Sequence, residues 1–311
     1  MVAVANALVP VFLVIALGAL LRRTLLPSDE LWEGLQRLTY FILFPALLLV
    51  TTATADFGAL PASEVAITMF LAVAILSTLL LVLRAPLMRG LDCSGPSFTS
   101  IFQGATRWST ITALAIAGAL HGAVGIAAIG VVIVAMVPLL NVINVWVLAR
   151  YAADTRPDFK TLVLHVVRNP FISSSLAGLF LNLLGIPLPK FLIAFGEILG
   201  RASLASGLLL IGAGLVLDEI LKPDFRVYAS ATFKLLLMPV IAMALALALG
   251  ISGPALSVVA IAASVPSAPG SYVMARQMGG DAPLLAHILT FETLVALATI
   301  PLALTIAALR P

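Results

Sequence analysis

The chain alternates long apolar runs with short polar connections: the runs fall at about 3–21, 35–53, 64–83, 98–120, 123–149, 162–184, 190–217, 228–250, 254–277 and 284–309. A helix needs roughly 20 apolar residues to cross a ~30 Å hydrocarbon core, so each run predicts one membrane span and the chain predicts ten. Pro45, Pro138, Pro239 and Pro301 lie inside runs. Membrane helices tolerate such prolines because neighbouring helices re-satisfy the freed carbonyls.

The ninth run differs from the rest because SVPSAPGS interrupts it near its middle. Pro266 and Pro269 remove two amide donors and clash with the carbonyls of Ala262 and Val265, which predicts two half-helices. The break leaves unpaired backbone groups that hydrocarbon does not tolerate, so protein or a water-filled cavity must surround them. A polar site at membrane depth follows. The fourth run has a matching interruption at Ser109, 158 residues before Ser267. Five spans per half is an odd number, so residues 156–311 should repeat residues 1–155 upside down in the membrane. Discontinuous helices from two such halves meet at a midplane site in many secondary transporters.

Composition agrees with a membrane protein: 62% of residues are hydrophobic and 10% charged, against about 25% charged in soluble domains, and mean hydropathy is +1.17. The formal charge of +3 does not point to nucleic acid, because the basic residues are scattered between apolar runs. They read as topogenic instead. With the N-terminus outside, thirteen Lys and Arg, among them Arg22, Arg84, Arg150, Lys222, Lys234 and Arg276, fall on or near the cytoplasmic side, against Lys190 and Arg310 outside. That asymmetry predicts both termini on the periplasmic side of a cytoplasmic (inner) membrane. No Lys or Arg precedes Arg22, so the first run lacks the basic start of a cleavable signal and reads as a retained span. The single cysteine, Cys93, rules out an internal disulfide and a cysteine metal cluster.

Few residues could carry chemistry. Arg107, in span four, costs at least ~2.5 kcal/mol at membrane depth unless it faces protein or water. Two roles fit it: binding an anionic substrate, or pinning carbonyls freed by a broken helix. Ser109, Thr110 and Thr112 beside it offer hydroxyls. In span nine, Ser267 is placed to cap the second half-helix, whose N-terminus, with Gly270 and Ser271, favours a carboxylate. Asn141 and Asn144 share a face of span five, and Glu197 and Arg201, four apart in span seven, read as a self-neutralising pair. Asp281 and Glu292, with His287, are candidates for coupling to protons or sodium. No HExxH, GxSxG or paired-aspartate motif is present. Neither enzyme chemistry, a cofactor nor a metal is expected.

The runs RWSTITALAIAGALHG, VPLLNVINV, RNPFISSSLAGL, LLLIGAGL, KLLLMP and VPSAPGSYVMARQMGGDAPLLA, in that order, resemble the auxin efflux carrier family, which includes plant PIN-type carriers and bacterial malonate-transporter-like proteins. The resemblance implies an all-α membrane protein of ten transmembrane helices in a 5+5 inverted repeat, with broken helices four and nine crossing (sodium/bile-acid-symporter-like or NhaA-like). It also implies a scaffold of spans one, two, six and seven that often forms a homodimer, and a transport bundle of spans three to five and eight to ten that moves as an elevator. On this resemblance Arg107, Ser109 and Thr110 fall on an Arg-x-Asn-Thr crossover motif in which Ser109 replaces the asparagine. Asn141 falls on the polar position of span five, and Pro266 to Ser271 on the span-nine break. Span four lacks the proline of plant carriers, so its break rests on Gly104 and the hydroxyl residues.

The function expected is secondary transport of small organic anions across the lipid bilayer. The expected binding residues are Arg107, Ser109, Thr110, Asn141, Ser267, Gly270 and Ser271. A passive channel or a non-transporting sensor on the same fold is the alternative.

Overall fold

The computed structural model describes residues 2–56, 61–152, 169–216 and 224–309, and these are helical with no strand among them. The helices are α1 (Val2–Arg23), α2 (Asp29–Ala53, with a π-helical turn at Thr39–Leu43), α3 (Ala62–Val82), α4 (Arg84–Gly90), α5 (Gly95–Thr106) and α6 (Thr110–Tyr151). They continue with α7 (Pro170–Leu183), α8 (Lys190–Ala213), α9 (Phe225–Ala248, with a π-helical turn at Phe233–Leu237), α10 (Gly253–Ser264), α11 (Gly270–Gln277) and α12 (Ala282–Ala308). The expected boundary at residue 155, the start of span six and the cations Arg156, Lys160, Arg168, Lys222 and Arg310 lie outside the described residues.

Seven helical segments among the described residues are long and apolar enough to cross a membrane, fewer than the ten runs of the sequence. Chain interruptions account for part of the difference. One of the seven, Gly95–Tyr151, has 57 residues, far more than a single crossing needs. It breaks at Arg107–Ser109 and turns at Gly122, whose φ of 60° suits glycine. Beyond Gly122 the chain returns antiparallel: Gly118 faces Ile126, Thr106 faces Asn144, and Gly95 abuts the backbone of Tyr151. The ninth run is divided between α10, with 12 residues, and α11, with 8. The described part of the sixth, α7, has 14 residues.

The two interrupted runs share a local plan at a spacing of 158 residues. α5 and α10 each have 12 residues, follow a serine (Ser94, Ser252) and begin with Gly-Pro. Proline suits the first turn of a helix, where its missing N–H has no partner to lose. Each helix ends on an extended residue, Arg107 at ψ 157° and Val265 at ψ 148°. Val265 precedes a proline, which disfavours the helical region. Arg107 does not; its chain opens because Ser109 takes the extended conformation of an N-cap and accepts from the Thr112 N–H at 3.3 Å.

Helices α1, α2, α7 and α8 pack chiefly on one another, and α3, α5, α6, α9, α10 and α12 do the same, with α6 also meeting the first group. Close backbone approach holds the first group together: a Cβ at Gly212 of α8 would collide with the Ile15 carbonyl of α1. In the second group Gly104 of α5 sits directly over Ser230 of α9, and its Cβ position lies 2.6 Å from Ile288 Cγ2 of α12.

Lys234 is fully buried in the π-helical turn of α9, and its ammonium makes no hydrogen bond. The helix begins at Phe225, ahead of the apolar run that starts at 228, and carries Lys234 into the protein interior. One sequence expectation is corrected here. Glu197 and Arg201 form no ion pair, and both are exposed on the outer face of α8.

Candidate functional site

The two helix breaks meet. The Ser109 N–H donates to the Pro266 carbonyl across 2.7 Å, so an amide freed by the first break satisfies a carbonyl freed by the second. This is how a broken helix survives at membrane depth.

A cavity of about 550 Å³ opens on one side of this crossing. Arg107, Ser109 and Thr110 line it from the first break, Ala268, Pro269 and Gly270 from the second, and Asn141 from the returning half of α6. The opposite wall comes from the other packing group: Thr39, Tyr40 and Phe44 of α2, Phe171 of α7 and Ile211 of α8. Thr39 also ties α2 to α8 through Ser206, at 3.1 Å. Asn169 at the rim uses its side chain to cap α7, accepting from the Phe171 and Ile172 amides at 3.0 and 3.3 Å.

Arg107 is the one charged residue on the cavity wall among the described residues. One guanidinium nitrogen donates at 3.5 Å to Asn141 Oδ1 and also lies 3.5 Å from Met274 Sδ. Its Nε is buried without a partner, and among the described residues no carboxylate pairs with it. Gly270 lies so near that a Cβ there would be 4.0 Å from Nη2. Five donors on one side chain, with one neutral oxygen as acceptor, leave capacity for an anion, and a guanidinium matches a carboxylate bidentately. Aromatic and aliphatic side chains form most of the remaining wall, the usual setting for a few orienting polar groups.

Five of the expected site residues, Arg107, Ser109, Thr110, Asn141 and Gly270, are thus brought together on this wall, with the helix-break residue Pro269. Ser267 and Ser271 are buried and are not on it. The cap expected at Ser267 is also displaced. α11 starts at Gly270 after Pro269, without a side-chain cap, and the Ser267 N–H donates instead to Glu292 Oε2 at 3.0 Å. Glu292, fully buried behind the crossing, accepts from Ser230 at its other oxygen, at 3.2 Å. An intramembrane carboxylate therefore takes up a donor that would otherwise face the break.

Asp281 stands apart from both. It caps α12 by accepting from the Leu284 N–H at 3.1 Å and holds α5 by accepting from Ser97 Oγ at 2.8 Å. Ser100 adds a bond to the Asp281 carbonyl at 2.8 Å. Outside the membrane spans, Asp224 is held below the usual carboxylate range by its hydrogen bonds from Arg226.

Sequence reasoning passed over Gln103 and Lys234. Gln103 lies one turn before Arg107, fully buried with neither amide atom bonded to protein. Lys234 and Glu292 are both fully buried and make no ion pair with each other. A glutamine four residues from the intramembrane arginine was a visible signal for the first. Tyr40 and Phe44 gave none, since nothing in an apolar run marks which aromatic faces a cavity.

Apolar spanning helices, two interrupted helices crossing within the protein and a cavity at their junction define a multi-pass membrane protein with an internal binding cavity. Residues 155–304 match the family described as membrane transport protein. The matched stretch is just under half of the chain, and it agrees with the resemblance of the chain's motifs to the auxin efflux carrier family. The matched family is one of transporters and not of enzymes. No curated protein matches the chain significantly.

Proposed function

We propose that the protein is a secondary active transporter of small organic anions, and that it works by elevator-type alternating access in the cytoplasmic membrane with both termini outside. One observation carries this reading: an arginine with no acidic partner among the described residues faces a cavity where two broken helices cross. An anion entering there gains a charge-assisted bond that no protein group already makes. The fold reading that goes with it is ten spans in two inverted five-helix repeats. Its support is the shared plan of α5 and α10 at a spacing of 158 residues. In this reading α1, α2, α7 and α8 are the scaffold and the other spanning helices the moving bundle. The cavity has walls from both groups, so sliding one past the other opens it to alternate sides. Coupling to protons or sodium, where it exists, falls to Glu292, which holds the second break, and not to Asp281, which holds α12 and α5.

The test is counterflow. Proteoliposomes preloaded with a dicarboxylate or an aromatic acid should accumulate the labelled compound against its gradient, and R107A should abolish the accumulation. Purely dissipative flux would favour a channel, and full activity of a folded R107A would assign Arg107 to structure.

A further inference from the structure

The returning half of α6, from Gly122 to Tyr151, is about 44 Å long at 1.5 Å per residue. A hydrocarbon core is ~30 Å thick and the whole bilayer about 40–45 Å, so the end of α6 stands among lipid headgroups. Trp146, at 50% exposure, marks the same level, where tryptophan is enriched. Its ring meets Tyr151 edge-on, with the ring centres 6.3 Å apart.

Two arginines converge on Tyr151 from different helices. The guanidinium carbon of Arg84, in α4, lies 4.7 Å from the ring centre, and that of Arg150, in the last turn of α6, lies 5.4 Å from it. The two like charges are therefore at most about 10 Å apart, close enough to repel at moderate salt. Neither makes a hydrogen bond or ion pair with a described residue. The face of a tyrosine attracts a cation but does not neutralise it. The ring is itself held in place, since Phe98 meets it edge-on at 5.7 Å and Gly95 of α5 abuts the Tyr151 backbone. Toward the bilayer centre, Val82 of α3 and Val142 of α6 are exposed and give acyl chains an apolar surface.

A phosphodiester of net negative charge on a pair of acyl chains answers both features. Its oxygens match the donors of two guanidiniums, and basic pockets between membrane helices take anionic headgroups in this way. A zwitterionic headgroup brings its own cation, which two arginines repel.

We propose that Arg84 and Arg150, gathered on Tyr151, bind the headgroup of an anionic phospholipid where α3, α5 and α6 reach the membrane surface. The inference needs only that surface placement and is independent of what the cavity carries.

Native mass spectrometry of the full chain in detergent, with phosphatidylglycerol or phosphatidylcholine added, tests it. Wild type should retain phosphatidylglycerol in preference. R84Q/R150Q should bind it roughly tenfold more weakly or beyond, and each single variant should lose part of that affinity. R37Q, which removes an exposed arginine of α2 that also lacks an ion pair, should bind as wild type. Y151F keeps the ring and should keep the lipid, whereas Y151L keeps both charges and should lose most of it. Equal retention of phosphatidylcholine, unchanged binding by folded R84Q/R150Q or Y151L, or an equal loss in R37Q would overturn the proposal. Displacement of the lipid by excess inorganic phosphate would assign the two arginines to free phosphate and overturn it as well.

Discussion

Ser109 and Pro266, 157 positions apart in sequence, are joined by one backbone hydrogen bond of 2.7 Å. The donor is an amide and not a side chain, so most substitutions at Ser109 preserve it and proline does not. Ser109 has φ −79°, close to the value proline imposes. S109P therefore leaves the Pro266 carbonyl buried and unpaired, which costs about 1–3 kcal/mol. S109A keeps the crossing and loses the cap to Thr112, a cost of about 0.5–2 kcal/mol. Thermal unfolding in detergent should rank S109P below S109A, and S109P should lose substrate-induced stabilisation first. Equal behaviour of the two would mean that the crossing bond contributes nothing.

Asn141 supplies Arg107's one oxygen acceptor among the described residues, at 3.5 Å. N141D turns that neutral acceptor into a carboxylate beside the guanidinium. The arginine is then neutralised by the protein, and an entering anion must displace an ion pair. Anion affinity, read as the ligand-dependent rise in unfolding temperature, should fall at least about tenfold, the scale of truncating a buried charge pair. Stability of the free protein should hold or rise. A folded N141D that binds organic anions as wild type would show that the solute does not reach Arg107.

The break in α10–α11 was legible because two prolines within four residues have only one consequence in a helix. The break between α5 and α6 has no proline, and it was found through the serine at the matching position. The meeting of the two breaks was implied by the inverted plan, but which groups bond could not be read, since the bond is between backbones. Ser267 was assigned a cap because serines before helices usually provide one. Here a carboxylate 25 residues away took its amide first, a tertiary contact that no local pattern carries. The burial of Lys234 was illegible for a related reason: a lysine near the end of an apolar run usually reaches the interface, and only the packing of α9 against α10 and α12 buries it.

Gly104 is the point at which α5 rests on α9 and α12. A methyl group there meets Ser230 and lies 2.6 Å from Ile288 Cγ2. Ser230 can turn away only by giving up its bond to Glu292. G104A should therefore destabilise by about 1–3 kcal/mol, the usual cost of overpacking a filled interior. G104A/I288L, which removes the branch methyl Cγ2 at nearly constant side-chain volume, should recover part of that loss in thermal unfolding. No recovery would place the strain at Ser230 and the Glu292 network.

Glu292 and Lys234 are both fully buried, and Glu292 holds the second break through the Ser267 amide. Removing Glu292 alone leaves the unbonded Lys234 ammonium buried with less opposite charge to offset it, which destabilises, whereas replacing both is often neutral. E292Q also weakens the acceptor that holds the Ser267 amide. It should be the less stable of the pair E292Q and K234M/E292Q, because the double variant no longer buries an unpaired ammonium. If Glu292 links solute movement to an ion, K234M/E292Q, restored in stability, should still exchange anion for anion across a proteoliposome membrane. It should no longer respond to an imposed proton or sodium gradient. A folded double variant whose uptake still follows the gradient would remove Glu292 from coupling and leave it the role the geometry already gives it, that of holding the second break in place.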